Sequence, residues 1–237
     1  SLREQLLLVS FIPEWEEEVR DYKQEHLAHG ETELHGGVLP GQLPYPEWLA
    51  LVERNAVFEA VSPRRGASTF FAVRLSNHRL IETVNIRHTL NEYLRQYSGH
   101  IGYGVRPCER GKGYAGQILR LSLKFACSVG LHRLMLVCDK NNPASARTIL
   151  SNGGILERES AHPNGEPIQI YWMKRQTARS NPERLLFYPN QREFLNDIIP
   201  KASRRNPQQI NTACPANKRQ QKVPSAAPPI NDRMIPQ

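Results

Sequence analysis

The sequence has few cysteines and no long apolar run. No stretch of about 18 consecutive apolar residues occurs, which argues against a transmembrane helix and predicts no membrane association. The cysteines are Cys108, Cys127, Cys138 and Cys214, and they show neither C-x-x-C spacing nor a metal-binding spacing with histidine. This pattern favours neither a disulfide framework nor a zinc site. We therefore expect reduced thiols, a cytoplasmic location and no bound metal.

The N-terminus carries little that resembles a targeting signal. The apolar segment that follows Ser1 is too short to indicate a signal peptide. Because the chain begins with Ser1 rather than Met, we expect a fragment or a processed protein. Its 237 residues are enough for one sizeable core followed by a tail.

Acidic residues are fewer than basic ones, which gives a net charge of +8, but the excess is unevenly placed. Residues 176–237 hold 10 Lys and Arg against 4 Asp and Glu, together with 9 of the 18 prolines. The preceding residues are nearly neutral, so nucleic-acid binding by the folded part is not expected, and binding through the tail is an alternative. We predict a domain over 1–175, a linker and docking segment over 176–200, and a disordered basic tail over 201–237.

Glycine is concentrated in one stretch, Gly99–Gly116. The pattern predicts a strand over His100–Val105, a tight connection, and a helix that begins in the glycine-rich turn and ends before Gly130. A glycine-rich turn at a helix start leaves backbone N–H groups without intrahelical partners. Together with the helix dipole, these groups form a site for a phosphate or pyrophosphate.

Two interpretations compete for this turn. Gly111, Gly113 and Gly116 spell G-x-G-x-x-G, which is typical of a dinucleotide site in an oxidoreductase. That motif expects its first glycine directly after the strand and an acidic residue about 20 positions further on. Here the segment Arg106–Arg110 intervenes, and Asp139 lies 26 positions beyond Gly113. The R-x-x-G-x-A pattern of Arg110–Ala115 instead resembles the acetyl-CoA motif of the GCN5-related N-acetyltransferases (GNAT).

The resemblance covers roughly Leu6 to Lys174. Within it, the blocks Asn85–Asn91 and Gly99–Tyr103 resemble a particular bacterial branch of predicted acetyltransferases. Asn142–Ser145 matches the family's N-x-x-A/S pattern at a second helix, and glycines follow that helix. The resemblance implies an α/β fold with a mixed, mostly antiparallel central sheet flanked by helices. It also implies acetyl-CoA as co-substrate and direct transfer of the acetyl group to a primary amine of a small molecule or peptide. Homodimer formation stays open.

The resemblance further implies which residues contact acetyl-CoA. They are Val105, Arg106, Arg110, Gly111, Lys112, Gly113, Tyr114, Ala115, Gly116, Asn142 and Ser145. Backbone N–H groups near Val105 would polarise the thioester carbonyl, and arginines would contact the phosphates. Asn142 and Ser145 either contact the pantetheine arm or cap their helix.

The catalytic acid and base are less typical of the family. The family's acid tyrosine would fall at Ile149, so Tyr103 and Tyr171 are possible substitutes. Candidate bases are His100, His88 and Glu92, on or near strands that are expected to line the cleft. A histidine base predicts a rate that rises through a pKa of about 6–7. The missing tyrosine also motivates an alternative function, a non-catalytic acyl-CoA sensor.

Overall fold

The computed structural model describes residues 5–11, 13–31, 44–50 and 66–174. The strands are β1 (Leu6–Val9), β2 (Ala67–Arg74), β3 (Leu80–Arg87), β4 (Ile101–Tyr103), β5 (Arg133–Asp139), β6 (Ile155–Ala161) and β7 (Pro167–Lys174). The α-helices are α1 (Glu16–Ala28), α2 (Glu92–Tyr97), α3 (Tyr114–Ser128) and α4 (Pro143–Ser151), and residues 45–50 are also helical. The predicted linker and tail lie outside the described residues.

The strands form two sheets rather than one continuous sheet. The first sheet has the order β1-β2-β3-β4 and the second has the order β5-β7-β6. Every strand ladder in the described residues is antiparallel. The α/β fold with antiparallel strands flanked by helices is therefore confirmed, and the strand predicted over His100–Val105 appears as the shorter β4, Ile101–Tyr103.

One hydrophobic core joins the two sheets. Ile118 and Leu119 of α3 are fully buried there, against residues of both sheets such as Val84 and Leu136. The opposite face of the first sheet packs on α1, where the buried residues include Tyr22. This layered packing holds α3 against both sheets.

The segment 89–98 contains the short helix α2, which was not predicted. Asn91 caps this helix, since its side chain accepts a hydrogen bond of 2.8 Å from the Leu94 amide. Asn91 followed by the acidic Glu92 is a helix-start signal, but the six residues of α2 are too few to show a helical apolar period. None of the helices in the described part of the chain has the length and apolar character needed to cross a bilayer.

Candidate functional site

The two sheets touch at a narrow junction and then separate. Gly99 pairs with Leu136 in an isolated bridge, and the His100 amide donates to the Met135 carbonyl at 2.7 Å. Gly99 has a φ of +69°, and a Cβ at this position would lie 2.5 Å from the Met135 oxygen. Only glycine fits so close an approach. Beyond this junction β4 and β5 share no strand ladder in the described residues, which leaves a gap between them.

Hydroxyl and thiol groups line this gap. The Tyr103 hydroxyl on β4 lies 3.4 Å from the Ser145 hydroxyl at the start of α4, so the contact crosses from one sheet's side to the other. Burial raises the pKa of Tyr103 to about 12 and the pKa of the Cys138 thiol to about 11. These groups are therefore uncharged at neutral pH, and each can serve as a hydrogen-bond donor.

The glycine turn has the conformation that an anion site requires. Gly111 and Gly113 have φ values of +76° and +83°, in the left-handed region that favours glycine. Gly113 is the N-cap of α3 and supplies no side-chain hydrogen bond to the helix. No side chain of the N-cap therefore covers the first turn, which begins with Tyr114, Ala115 and Gly116, and amides of a first turn point out of the helix start. The residues present fit a pyrophosphate.

Arg106 lies inside the protein, beneath the turn. Its guanidinium is fully buried and donates to Asp21 at 2.6 Å, to Glu25 at 2.8 Å and to the Leu80 carbonyl at 2.9 Å. Burial alone would lower the pKa of Arg106, but the hydrogen bonds and charges of Glu25 and Asp21 outweigh it and raise the pKa. The structure therefore places this predicted phosphate ligand against helix α1.

Arg110 and Lys112 lie at the surface of the same turn. The Arg110 guanidinium holds both oxygens of Glu31 at 2.6 and 2.8 Å, and the Lys112 ammonium lies 2.9 Å from Glu109. Burial would raise the pKa of Glu31, but hydrogen bonds from His26 and Arg110 lower it to about 2. The side chains of Arg110 and Lys112 are 40% and 53% exposed, so both cations are accessible from solvent.

Cys108 precedes these cations in the same connection, between β4 and α3. Its backbone amide donates to Glu25 at 2.8 Å, which ties the turn to α1 once more. Cys127 and Cys138 are free thiols.

Asn142 and Ser145 lie at the start of α4. The Asn142 side chain accepts a hydrogen bond of 3.1 Å from the Ser145 amide, so Asn142 is the N-cap. The Ser145 hydroxyl faces the gap through its contact with Tyr103. Asn142 therefore acts as a helix cap, whereas the Ser145 hydroxyl faces the gap, where a ligand could contact it.

The candidate catalytic residues are not brought together. Tyr103 lies in the gap and His100 lies at the junction. His88 follows β3, where its Nε2 is 2.9 Å from the Ser68 hydroxyl, and its ring centroid is 6.5 Å from that of Phe125, near the far end of α3. Glu92 is exposed in the first turn of α2. Tyr103 is therefore the only one of the four that lies where the sheets diverge.

His100 is part of the junction itself. Its Nδ1 accepts a hydrogen bond of 2.9 Å from the Met135 amide, so this nitrogen carries no proton. Burial lowers the pKa of His100 to about 4, and the positive charges of Arg87 and Arg95 act in the same direction. The imidazole is neutral throughout the range from pH 6 to 8. A pKa of 6–7 for a catalytic histidine does not fit His100.

We expect His100→Ala to lower the thermal unfolding midpoint by roughly 3–10 °C, because it leaves the buried Met135 amide without an acceptor. The folded pKa lies below the unfolded one, so wild type loses stability as the pH falls from 6.5 towards 4, and the difference between the proteins shrinks there. Thermal unfolding at pH 7.5 and pH 4.5 measures this. An unchanged midpoint, together with loss of the alkaline rise in rate, would instead identify His100 as the base.

Two parts of the site were missed by sequence reasoning. The first is the set of acidic partners on and after α1, Asp21, Glu25 and Glu31, which lie about 80 positions before the arginines they bind. The second is Glu82 on β3, a fully buried carboxyl close to the gap. No local pattern signals either, since both depend on contacts between distant segments.

Comparison of the sequence with models of known protein families identifies one family. A family model described as an acetyltransferase (GNAT) domain matches residues 17–155. No protein with a curated description matches the chain by sequence.

Solved structures share the fold. The ribosomal-protein-S5-alanine acetyltransferase from Vibrio fischeri is 18% identical with a TM-score of 0.56, covering 76% of this chain and 97% of its own. The microcin C7 self-immunity acetyltransferase MccE, in complex with acetyl-CoA and AMP, is 16% identical with a TM-score of 0.52, covering 72% and 93%. A GNAT-family acetyltransferase from Bacillus anthracis is 21% identical with a TM-score of 0.50, covering 73% and 96%. Because the family model spans more than half of the 237 residues, the chain belongs to the GNAT acetyltransferase family.

Proposed function

We propose that this protein is an N-acetyltransferase that moves the acetyl group of acetyl-CoA directly to a primary amine of a small molecule or peptide. The observation that carries the proposal is the uncapped N-terminus of α3, at Gly113, beside the gap between the two sheets. The helix start provides donors for a pyrophosphate. The gap provides a path for the extended arm that carries the thioester.

The cations of the turn take different parts in this proposal. Arg110 and Lys112 are exposed enough to exchange a protein carboxylate for a phosphate oxygen. Arg106 has no such freedom, because it is fully buried and its donors are engaged with α1 and β3. We therefore assign Arg110 and Lys112 to phosphate binding, and Arg106 to holding the turn in place.

The transfer itself needs no further reactant. The amine nitrogen attacks the thioester carbon, negative charge builds on the carbonyl oxygen, and the carbon–sulfur bond then breaks. The amine loses one proton and the sulfur gains one. The backbone N–H near Val105 is assigned to the developing oxyanion. The Tyr103 hydroxyl, which stays protonated, is assigned as a hydrogen-bond donor to the departing sulfur.

The direct test is release of CoA thiol from acetyl-CoA in the presence of different amines. A peptide with a free N-terminal alanine, a polyamine and an aminosugar cover the main acceptor classes, and a reaction without amine corrects for hydrolysis. We expect at least one class to accelerate CoA release tenfold or more over that background, with mass spectrometry showing the acetylated amine. Tight acetyl-CoA binding without transfer to any amine would contradict the enzymatic assignment.

A second candidate function is a non-catalytic acyl-CoA sensor. Ile149, at the position where the family resemblance places the acid tyrosine, is 1% exposed and belongs to the core. A Cβ on Gly154 would lie 2.4 Å from the Ile149 side chain, so this isoleucine is closely packed against the backbone that follows α4. A sensor predicts acetyl-CoA binding with no amine acetylation in the same assay.

A further inference from the structure

The Tyr22 hydroxyl is a polar group in the core that no step of the proposed reaction uses. Tyr22 lies in the middle of α1 and is 1% exposed. Its hydroxyl donates a hydrogen bond of 3.1 Å to the carbonyl of Gly104, which lies 82 positions further along the chain, directly after β4. A phenylalanine would fill the same volume without a polar atom that needs a partner. The identity of the partner, a backbone carbonyl beside the gap, therefore bears on the role of the hydroxyl.

The ring of Tyr22 contacts two buried side chains, which restrict its motion. The centroid of the His26 ring, one turn further along α1, lies 4.5 Å from that of Tyr22. The Arg106 guanidinium lies over the Tyr22 ring, 5.8 Å from its centroid. Arg106 is itself held by Asp21 and Glu25 of the same helix. Burial raises the pKa of Tyr22, so its hydroxyl keeps its proton at neutral pH and stays a donor.

The two peptides that follow Gly104 differ in which of their polar groups are bonded. In the second, the Val105 carbonyl accepts from Arg110 Nε at 2.7 Å, and the Arg106 amide donates to the Ile81 carbonyl of β3 at 3.0 Å. In the first, Gly104–Val105, the carbonyl accepts from α1, whereas the Val105 amide has no acceptor among the described residues. Val105 is buried, and amides of buried residues rarely lack an acceptor, so a bound ligand is the expected partner.

The Val105 N–H points towards the gap. The bond between Arg106 and Ile81 continues the register of the β3–β4 ladder, so the Arg106 amide faces β3. Successive amides along a strand edge alternate in direction, which turns the Val105 amide away from β3. The carbonyl and the amide of a trans peptide point in opposite directions, so the Tyr22 bond also turns this amide away from α1. On the side of β4 away from β3 lies β5, across the gap.

We propose that Tyr22 is a positioning residue, whose hydroxyl holds the Gly104–Val105 peptide so that the Val105 N–H faces the thioester carbonyl. This inference rests on the proposed function, which assigns that N–H to the developing oxyanion. Glycine has the freest backbone, so without the hydroxyl this peptide can rotate and present its carbonyl oxygen to the gap. A carbonyl oxygen there would repel the negative charge of the transition state. Tyr22 therefore acts on the reaction through the backbone.

The test compares Tyr22→Phe with Ser122→Ala, below the unfolding midpoints of both variants. Each change removes one buried hydroxyl that donates to a backbone carbonyl, and Ser122 does so within α3, to Ile118 at 2.9 Å. Loss of an oxyanion donor costs about 100-fold or more in kcat, and we expect loss of its orientation in Tyr22→Phe to cost about five- to tenfold. Acetyl-CoA affinity should change less than twofold, and Ser122→Ala should keep kcat within twofold. The proposal is overturned if Tyr22→Phe keeps full kcat or if Ser122→Ala loses as much.

Isotope-edited infrared spectroscopy of the acetyl carbonyl in bound acetyl-CoA gives a readout that does not depend on turnover. A hydrogen bond from an N–H lowers the stretching frequency of the thioester carbonyl. Wild type should therefore show a lower frequency than free acetyl-CoA, and Tyr22→Phe should lie closer to the free value. Equal frequencies in the two proteins would overturn the proposal even if transfer occurs. If wild type acetylates no amine but shows a shift that Tyr22→Phe loses, the proposed function fails and the positioning role stands.

Discussion

Replacing Gly113 by aspartate is expected to weaken acetyl-CoA binding at least 100-fold, which corresponds to about 2.7 kcal/mol. Gly113 is the N-cap of α3, in the left-handed conformation, and no side chain caps the helix there. Aspartate is a good N-cap, so its carboxylate would accept the first-turn amides that the pyrophosphate needs. Its charge would also repel the phosphates. Calorimetric titration with acetyl-CoA measures the loss.

A matched control exists at the other end of the same helix. Gly130 has a φ of +85° and open space around its Cα, so aspartate there costs comparable backbone strain. It lies after the last turn of α3, roughly 22 Å from the helix start for its 15 residues. Gly130→Asp should bind acetyl-CoA as wild type does. Gly113→Asn, which adds a similar shape without charge, separates crowding from repulsion.

Retained affinity in Gly113→Asp would contradict the assignment of the α3 start as the phosphate site. If Gly113→Asp retains affinity within threefold of wild type, the start of α3 is not the phosphate site. Circular dichroism must show that the variant is folded, since the left-handed φ at Gly113 makes some loss of stability certain for any side chain. A folded variant without binding is the expected result.

Replacing Arg106 by alanine is expected to destabilise the protein by about 3–5 kcal/mol, which is the cost of leaving buried partners of an ion pair uncompensated. The change removes three hydrogen bonds, to Asp21, Glu25 and the Leu80 carbonyl, and leaves Glu25 only 11% exposed. The unfolding midpoint should fall by roughly 10 °C or more. Arg106→Lys should recover only part of it, since an ammonium lacks the planar fork.

Arg79 provides the control for this prediction. It also pairs with Glu25, at 3.0 Å, but its side chain is 31% exposed. Arg79→Ala should therefore cost less than about 1 kcal/mol, as is usual for pairs near the surface. An Arg106→Ala protein with an unchanged midpoint and much weaker acetyl-CoA binding would show that Arg106 contacts phosphate directly and does not hold the turn.

Local sequence patterns predicted most of the architecture. The apolar spacing of α3 and its two flanking glycines marked both ends of the helix, because periodicity and left-handed caps are properties of neighbouring residues. The R-x-x-G-x-A motif of residues 110–115 identified the family, which decides against the dinucleotide interpretation of the same glycines. The helix α2 was missed because six residues are too few for a periodic pattern to emerge.

The interior of the candidate site was harder to predict. Arg106 and Arg110 were both expected at phosphates, because the family resemblance implies that arginines of this turn contact the cofactor. Their carboxylate partners, which belong to α1 and the residues just after it, are brought near only by the packing of α1 on the first sheet. The burial of Glu82 likewise depends on packing against both faces of β3, where every residue from Leu80 to Ile86 is buried.

The pairing of charges around the glycine turn also bears on the rate at which an anionic cofactor would associate with it. Five cations surround the turn, and four carboxylates already contact them; the cations are Arg74, Arg79, Arg106, Arg110 and Lys112, and the carboxylates are Asp21, Glu25, Glu31 and Glu109. Such a nearly balanced cluster exerts little long-range field, so diffusional steering of a polyanion is weak. At the proposed phosphate site, we therefore expect acetyl-CoA to bind by short-range exchange of carboxylate for phosphate, at an association rate that depends little on ionic strength.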